Sequence, residues 1–271
     1  MKSSSVFILV PLVLLFLACG KTGEQKEVID ATPASKSFVS EGDSMLYGLA
    51  CDGCSDTVLV FLPDSGGDPV EYGIVEAMRA RKVFGRPKTG DRMAVLVNPE
   101  NPNSLLMAVN MEQVMGTWFY YQLPELRHRL SAEEEKERER EMDSEQLQRR
   151  DSFLNTLMVP REYVYSLKRD YTVTTLGGPP RTSSLDGVLP VVYPPIKRYS
   201  EWHLHNGKII FTMAPLHFAG ETDTTKLVND TAEFVYLRRD SMALQFNDHI
   251  QRFMLIPDSV KIETLRERLN K

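Results

Sequence analysis

YSEWHLHNGKIIF, residues 199–211, decides the fold that we predict for this chain. Two runs rich in β-branched and aromatic residues flank Asn206-Gly207, the dipeptide most typical of a two-residue β-hairpin turn. Similar hairpin patterns follow in DTAEFVYLRRDSMALQFND, residues 230–248, and in IQRFMLI, residues 250–256. The second half of the chain therefore predicts a mainly β structure of consecutive antiparallel hairpins.

The first half carries a separate series of short extended runs. Turn residues such as Asp52-Gly53 and Gly90-Asp91 separate five candidate strands, at 45–50, 56–62, 70–75, 92–97 and 105–111. Strands this short and close together indicate a small β-barrel module over residues 44–113, similar to an OB-fold. OB-folds often bind nucleic acid or sugars, but this one has no basic and aromatic strand face, so we interpret it as a packing module.

A Gly-x-Trp motif opens the next segment, in VMGTWFY, residues 114–120. This motif resembles the first strand of lipocalins. Its place after GDRMAVLVN and MAVNMEQV is similar to that in bacterial envelope lipoproteins that join a small β module to a lipocalin-like domain. The resemblance covers roughly residues 44–123 and 160–258. It implies a lipocalin-like antiparallel barrel over 114–260, with 261–271 as a C-terminal tail or helix.

A charged segment interrupts this predicted barrel at about 131–157. Ser131 and Glu134 form a capping-box pattern, and a run of alternating charges follows, EEEKERERE, residues 133–141. We interpret the segment as a helix whose charges form i,i+4 ion pairs in water. Partner binding is the alternative, through apolar residues near the end of the helix, namely Leu147, Phe153, Leu154 and Leu157.

The amino terminus predicts export. Lys2 precedes an apolar run, residues 6–18, that is too short to span a bilayer but suits a signal peptide, which we assign to residues 1–18. FLACG, residues 16–20, resembles the lipobox of bacterial lipoproteins. That resemblance implies cleavage before Cys19, diacylglycerol on its thiol and a further acyl chain, such as palmitate, on its amine. Two or more chains anchor a protein stably, so we expect a lipid-anchored protein of the bacterial outer membrane with residues 19–43 as a flexible tether.

The charge balance argues against a nucleic-acid partner. The formal net charge is −5, and no basic cluster accompanies the aromatic residues along the sequence. Nucleic-acid binding depends on such cations, which neutralise phosphates. We therefore expect no nucleic acid among the partners.

Cys51 and Cys54 flank the predicted Asp52-Gly53 turn. Exported compartments favour disulfides, and these are the only thiols left once Cys19 is lipidated. We expect a disulfide that staples the hairpin, with free thiols or a metal pair as the alternatives. A zinc site would need two further ligands, and no second CxxC motif or nearby histidine supplies them.

Glu201, His203 and His205 form the one pattern that suits a metal ligand set. Alternate residues of a strand share a face, so two histidines and a carboxylate can approach one ion if a neighbouring strand completes the set. Solvated histidines on a strand face are more common, and we expect neither a metal nor a cofactor. The sequence also lacks Gly-x-Ser-x-Gly and phosphate-binding glycine loops, so we expect no enzyme activity.

Aromatic residues of the second half are the candidates for a ligand-binding interior or a filled barrel core, since small barrels serve either purpose. These candidates are Trp118, Tyr120, Trp202, Phe211, Phe234, Tyr236 and Phe246. A proline-rich segment, residues 189–195, is expected at the mouth of the barrel or as a rigid surface connection.

Together these features predict a non-catalytic, membrane-anchored envelope lipoprotein that binds a small apolar or lipid-like ligand in its barrel. The alternative is a structural subunit of an outer-membrane assembly, with a filled barrel and an envelope protein as its partner.

Overall fold

The β-sheets of the protein are seen in a computed structural model. It describes residues 41–127, 131–177, 191–213, 217–218, 221–222, 229–257 and 259. The predicted signal peptide, Cys19, almost all of the tether and the 261–271 segment lie outside the described residues. All described residues belong to one unit of the chain, Lys36–Lys271.

The first sheet is formed by the amino-terminal part of that unit. Its strands have the order β3-β2-β1-β5-β6-β4. All neighbours are antiparallel except β4, which runs parallel to β6. The elements are β1 (Leu46–Ala50), β2 (Val58–Pro63), β3 (Val70–Gly73), α1 (Val75–Arg79), β4 (Val83–Phe84), β5 (Arg92–Val97), β6 (Leu105–Asn110) and α2 (Met111–Val114).

This sheet contains elements that the sequence pattern did not indicate. The five predicted strands are present with shifted ends, but the third stops at Gly73 and its last residues begin the short helix α1. Strand β4 is only two residues long, too short for an alternating pattern to mark it.

An eight-stranded antiparallel barrel follows, and it confirms the prediction of a mainly β chain with such a barrel. Its strand order is β10-β9-β7-β18-β17-β16-β13-β12. The barrel nearly closes where the Trp202 amide donates to the Tyr171 carbonyl at 2.8 Å. The barrel strands are β7 (Gly116–Gln122), β9 (Arg161–Leu167), β10 (Val173–Gly177), β12 (Tyr199–His205), β13 (Lys208–Met213), β16 (Asn229–Leu237), β17 (Ser241–Gln245) and β18 (Ile250–Ile256). The elements that lie between them in the chain are β8 (Glu125–Leu126), α3 (Ala132–Glu141), α4 (Ser144–Leu157), β11 (Val191–Val192), β14 (His217–Phe218) and β15 (Glu221–Thr222).

The charged segment forms two helices where the sequence predicted one. Ser131 and Glu134 make the predicted capping box at the start of α3. The helix then ends at Glu141, because Asp143 caps a second helix and accepts a hydrogen bond from the Gln146 amide. A capping side chain requires an extended backbone at its own residue, and this requirement breaks the run. None of the described helices is long and apolar enough to cross a membrane.

The first sheet closes one end of the barrel, which we call the closed end. Trp118 and Trp202 are fully buried there, and their indole N–H groups donate to the carbonyls of Val114 and Lys168 at 2.8 and 3.0 Å. The Phe84 ring lies 5.3 Å from the Phe234 ring and joins the two sheets. A single hydrophobic cluster therefore extends from the first sheet into the barrel.

The Asn206-Gly207 turn of the opening stretch also lies at this end. Both residues have positive φ, 49° and 78°, as the predicted hairpin turn requires. The Asn206 amide donates to the Asp43 carboxylate at 2.9 Å. A Cβ on Gly207 would lie 2.5 Å from the Met107 sulfur. The turn is thus both a hairpin and a contact with the first sheet.

Candidate functional site

The opposite end of the barrel, which we call the aromatic end, is the candidate site. Strands β7, β9, β12, β13 and β18 bring aromatic rings together there, with centroids 4.9 to 6.4 Å apart. We define the aromatic cluster as Tyr120, Tyr163, Tyr165, Tyr199, Phe211, Phe246 and Phe253. Its rings fill this layer of the barrel, and Tyr120, Ile196, Met213 and Phe246 are only partly buried at its edge.

The hydroxyl groups in this cluster remain protonated. Burial raises the pKa of Tyr165 and of Tyr199 far above the ordinary value, and that of Tyr163 to about 12. Burial also raises the pKa of Tyr120. The cluster therefore presents neutral hydroxyl donors within an otherwise apolar wall at physiological pH.

One charged pair borders the cluster. The Asp230 carboxylate accepts hydrogen bonds from the Tyr199 hydroxyl at 2.6 Å and from the Lys197 ammonium at 2.8 Å. Burial by itself would raise the pKa of Asp230, but these two donors outweigh it and hold the pKa below its usual value. The aromatic end thus joins an apolar surface to a polar rim that is fixed by hydrogen bonds.

The described part of the proline-rich segment lies along this rim. The Tyr163 hydroxyl donates to the Pro194 carbonyl, and the Tyr193 hydroxyl donates to the Val159 carbonyl at 2.7 Å. The Arg161 guanidinium lies 4.2 Å from the centroid of the Tyr193 ring. Residues 191–195 therefore run beside the mouth, as one of the two sequence interpretations expects.

The structure divides the aromatic candidates between the two ends of the barrel. Tyr120, Phe211 and Phe246 meet in the aromatic cluster. Trp118, Trp202 and Phe234 are core residues near the closed end.

Tyr236 is not in the barrel interior, where alternation from Phe234 would place it. A β-bulge interrupts the pairing between Phe234 and Tyr236. The extra residue shifts the side-chain alternation, so Leu237 enters the core and Tyr236 lines a cleft outside the barrel. A bulge of this kind depends on the neighbouring strand and leaves no mark on the alternation itself.

Sequence reasoning missed Tyr199 and Asp230 as candidates. A second bulge, between Tyr199 and Glu201, lets Tyr199 share the inward face with Trp202 despite an odd spacing of three. Asp230 belongs to no recognisable sequence motif. Only its pairing opposite Phe211 places its carboxylate beside the Tyr199 hydroxyl. Strict alternation along β12 would place Tyr199 on the outer face with Glu201.

Glu201, His203 and His205 lie on the outer face of β12, opposite the buried Trp202 and Leu204. Burial, with the neighbouring His205, lowers the pKa of His203. Among the described residues, no group of three or more His, Cys, Asp or Glu side chains is arranged to hold a metal ion. His249 lies at the aromatic end beside Asp248, and the His217 side chain lies outside the described residues.

Cys51 and Cys54 are free thiols in the structure, in contrast to the expected disulfide. The Cys54 sulfur faces the hairpin backbone, 3.1 Å from the Cys51 carbonyl and 3.4 Å from the Val60 amide. Gly53, at a φ of 95°, makes the predicted turn. Hydrogen bonds to Cys54 therefore stabilise this hairpin in place of a covalent bridge.

Comparison of the chain with protein-family models, with curated proteins and with solved structures found no match.

Proposed function

We propose that this protein is a non-catalytic envelope lipoprotein, anchored to the outer membrane through Cys19, that binds a small apolar or lipid-like molecule at the aromatic end of its barrel. The aromatic cluster is the observation that carries the proposal. Binding sites for apolar molecules are lined by aromatic side chains with a few fixed polar groups, and the Asp230 rim supplies such groups. The barrel is lipocalin-like in this proposal, and the first sheet is an OB-like packing module.

The ligand sits at the mouth rather than deep in the barrel. Side chains fill the layer of Trp118 and Trp202 at the closed end. The partly exposed Tyr120, Met213 and Phe246 remain available at the other end. A molecule there covers apolar surface, and each square ångström removed from water contributes about 25 cal/mol.

Native mass spectrometry of the chain tests the proposal. The protein is purified from membranes in a nonionic detergent, and its mass is compared before and after denaturation. We expect a stoichiometric adduct that denaturation releases, while acyl chains on Cys19 stay attached because they are covalent. Phe246→Ser should lose the adduct, and Phe153→Ser, an equal change on an exposed helix, should retain it. A bare mass for the natural chain would contradict the proposal.

A structural or interaction subunit is the second candidate, and helix α4 supports it. This helix has no buried residue, and Phe153 is 55% exposed. Leu147, Leu154 and Leu157 of the same helix are partly buried. A bare mass together with a protein that cross-links to position 153 in intact membranes would favour this candidate.

A further inference from the structure

A cleft of about 1160 Å³ lies outside the barrel, between the first sheet and the β16–β17 hairpin. Most of its lining comes from three segments of the chain, the end of α1, the loop after β4 and the turn after β16, and residues 54–56 and Gln113 also contribute. The Gly85 amide donates to the Leu237 carbonyl at 3.2 Å and holds the second and third segments together. The cleft shares no residue with the aromatic cluster.

Positive charge is concentrated in this cleft. Its lining includes five basic side chains and one acidic side chain, Asp56. The whole chain, in contrast, has a formal net charge of −5. The basic residues are Arg81, Arg86, Lys88, Arg238 and Arg239.

These charges are largely uncompensated within the described part of the chain. Arg86 contacts Asp56 at 3.3 Å, but both side chains are more than three-quarters exposed, and such a pair contributes little. Arg81, Lys88, Arg238 and Arg239 form no ion pair with a described residue. Cations held close together repel one another, so the arrangement costs stability until an anion binds.

The cleft also has an apolar side. Met78 and Val235 line it and are 46% and 43% exposed. The Tyr236 ring lies 5.2 Å from the Arg238 guanidinium, and the bulge in β16 turns this ring toward the cleft. An anion with an apolar or ring-shaped body therefore fits the lining better than a simple ion.

We propose that the cleft between the first sheet and the β16–β17 hairpin binds a phosphate-bearing small molecule or headgroup, with Arg86, Arg238 and Arg239 on the phosphate and Met78 and Val235 against its body. Phosphate is the chemistry that the lining fits best, because guanidinium groups form paired, charge-assisted hydrogen bonds with its oxygens. Several cations in one concave site also raise the local concentration of a multiply charged anion.

Isothermal titration of the full chain in nonionic detergent tests this site with three probes. They are sodium pyrophosphate, dihexanoyl phosphatidate and, as the neutral-headgroup control, dihexanoyl phosphatidylcholine. We expect the first two to bind and the third to bind at least tenfold more weakly, as is typical for loss of charge-assisted contacts. Tighter binding of phosphatidate than of pyrophosphate assigns the cleft to a lipid headgroup, and equal or weaker binding assigns it to a soluble phosphate compound.

Three variants make the test specific: one removes three charges from the cleft, one removes two charges from helix α4, and one changes the aromatic end. Arg86→Ala, Arg238→Ala and Arg239→Ala combined should weaken pyrophosphate binding by about tenfold or more. Because these side chains are exposed, we expect the triple variant to fold. Arg149→Ala with Arg150→Ala, on helix α4, should leave binding unchanged. Phe246→Ser, at the aromatic end, should also leave it unchanged, which separates this site from the proposed barrel ligand. Absence of pyrophosphate and phosphatidate binding, or equal binding by the triple variant, would overturn the proposal.

Discussion

Replacement of Phe84 by alanine should destabilise both sheets together. Phe84 belongs to the first sheet, is 2% exposed and contacts Phe234 of the barrel. Truncation of a buried phenylalanine to alanine costs about 3–5 kcal/mol, the sum of lost transfer energy and the cavity that remains. Since folded proteins are stable by about 5–15 kcal/mol, the change should be easy to measure in urea.

Tryptophan fluorescence is the assay, because both tryptophans of the chain, Trp118 and Trp202, are buried in the barrel. A change in their unfolding transition therefore reports on the barrel and on its contact with the first sheet. Far-UV circular dichroism reports on both sheets. We expect the two signals to give one common transition, shifted to lower urea in Phe84→Ala.

Phe61→Ala is the matched variant. Phe61 is fully buried in a second cluster that consists of first-sheet residues, so it makes no part of the shared core. If the sheets unfold as one cooperative unit, Phe61→Ala also shifts the fluorescence transition by about 3–5 kcal/mol. A fluorescence midpoint equal to that of the natural chain, with a separate earlier transition in circular dichroism, would refute the reasoning and show that the sheets unfold independently.

Three further outcomes are expected. The folded-state pKa of Asp230 is lowered, so its contribution to stability is complete above the ordinary value of 3.8 and is lost as the pH falls through the folded-state pKa. The difference in unfolding free energy between the natural chain and Asp230→Asn should therefore shrink at pH values below 3.8. A difference that grows there would contradict this prediction. Cys51 and Cys54 should react with iodoacetamide without prior reduction, as peptide masses would show, and labelling only after reduction would establish a disulfide. Phe153→Ser should change the unfolding free energy by no more than about 0.5 kcal/mol, because the side chain is exposed and the two residues have similar helix propensities; a larger loss would mean that Phe153 packs against the rest of the protein.

Local patterns predicted the elements better than their contacts. The Asn206-Gly207 turn and the Ser131 capping box depend on neighbouring residues only, and both are present. The prediction that Tyr236 lies in the barrel interior was wrong, because the bulge in β16 depends on the partner strand. The sequence also did not show which aromatic candidates lie at the closed end of the barrel and which at the aromatic end, since all of them share the same residue chemistry.

The basic cleft also depends on contacts that local sequence patterns do not predict. Its cations come from residues 81–88 and from residues 238–239, which are about 150 positions apart, so no single stretch of the sequence contains all of them. Only the docking of the first sheet on β16 brings them to one surface. The inference about phosphate could therefore not be drawn from the sequence.

By itself the sequence determined a mainly β chain, the Asn206-Gly207 hairpin turn and the Ser131 helix cap, because alternation, turn preference and capping act over a few residues. The tertiary structure decided where bulges change the inward face, which aromatic rings meet at one end of the barrel and which cations share a cleft. Those features arise from pairings between residues far apart in the chain, and such pairings are selected by the packing of the whole molecule.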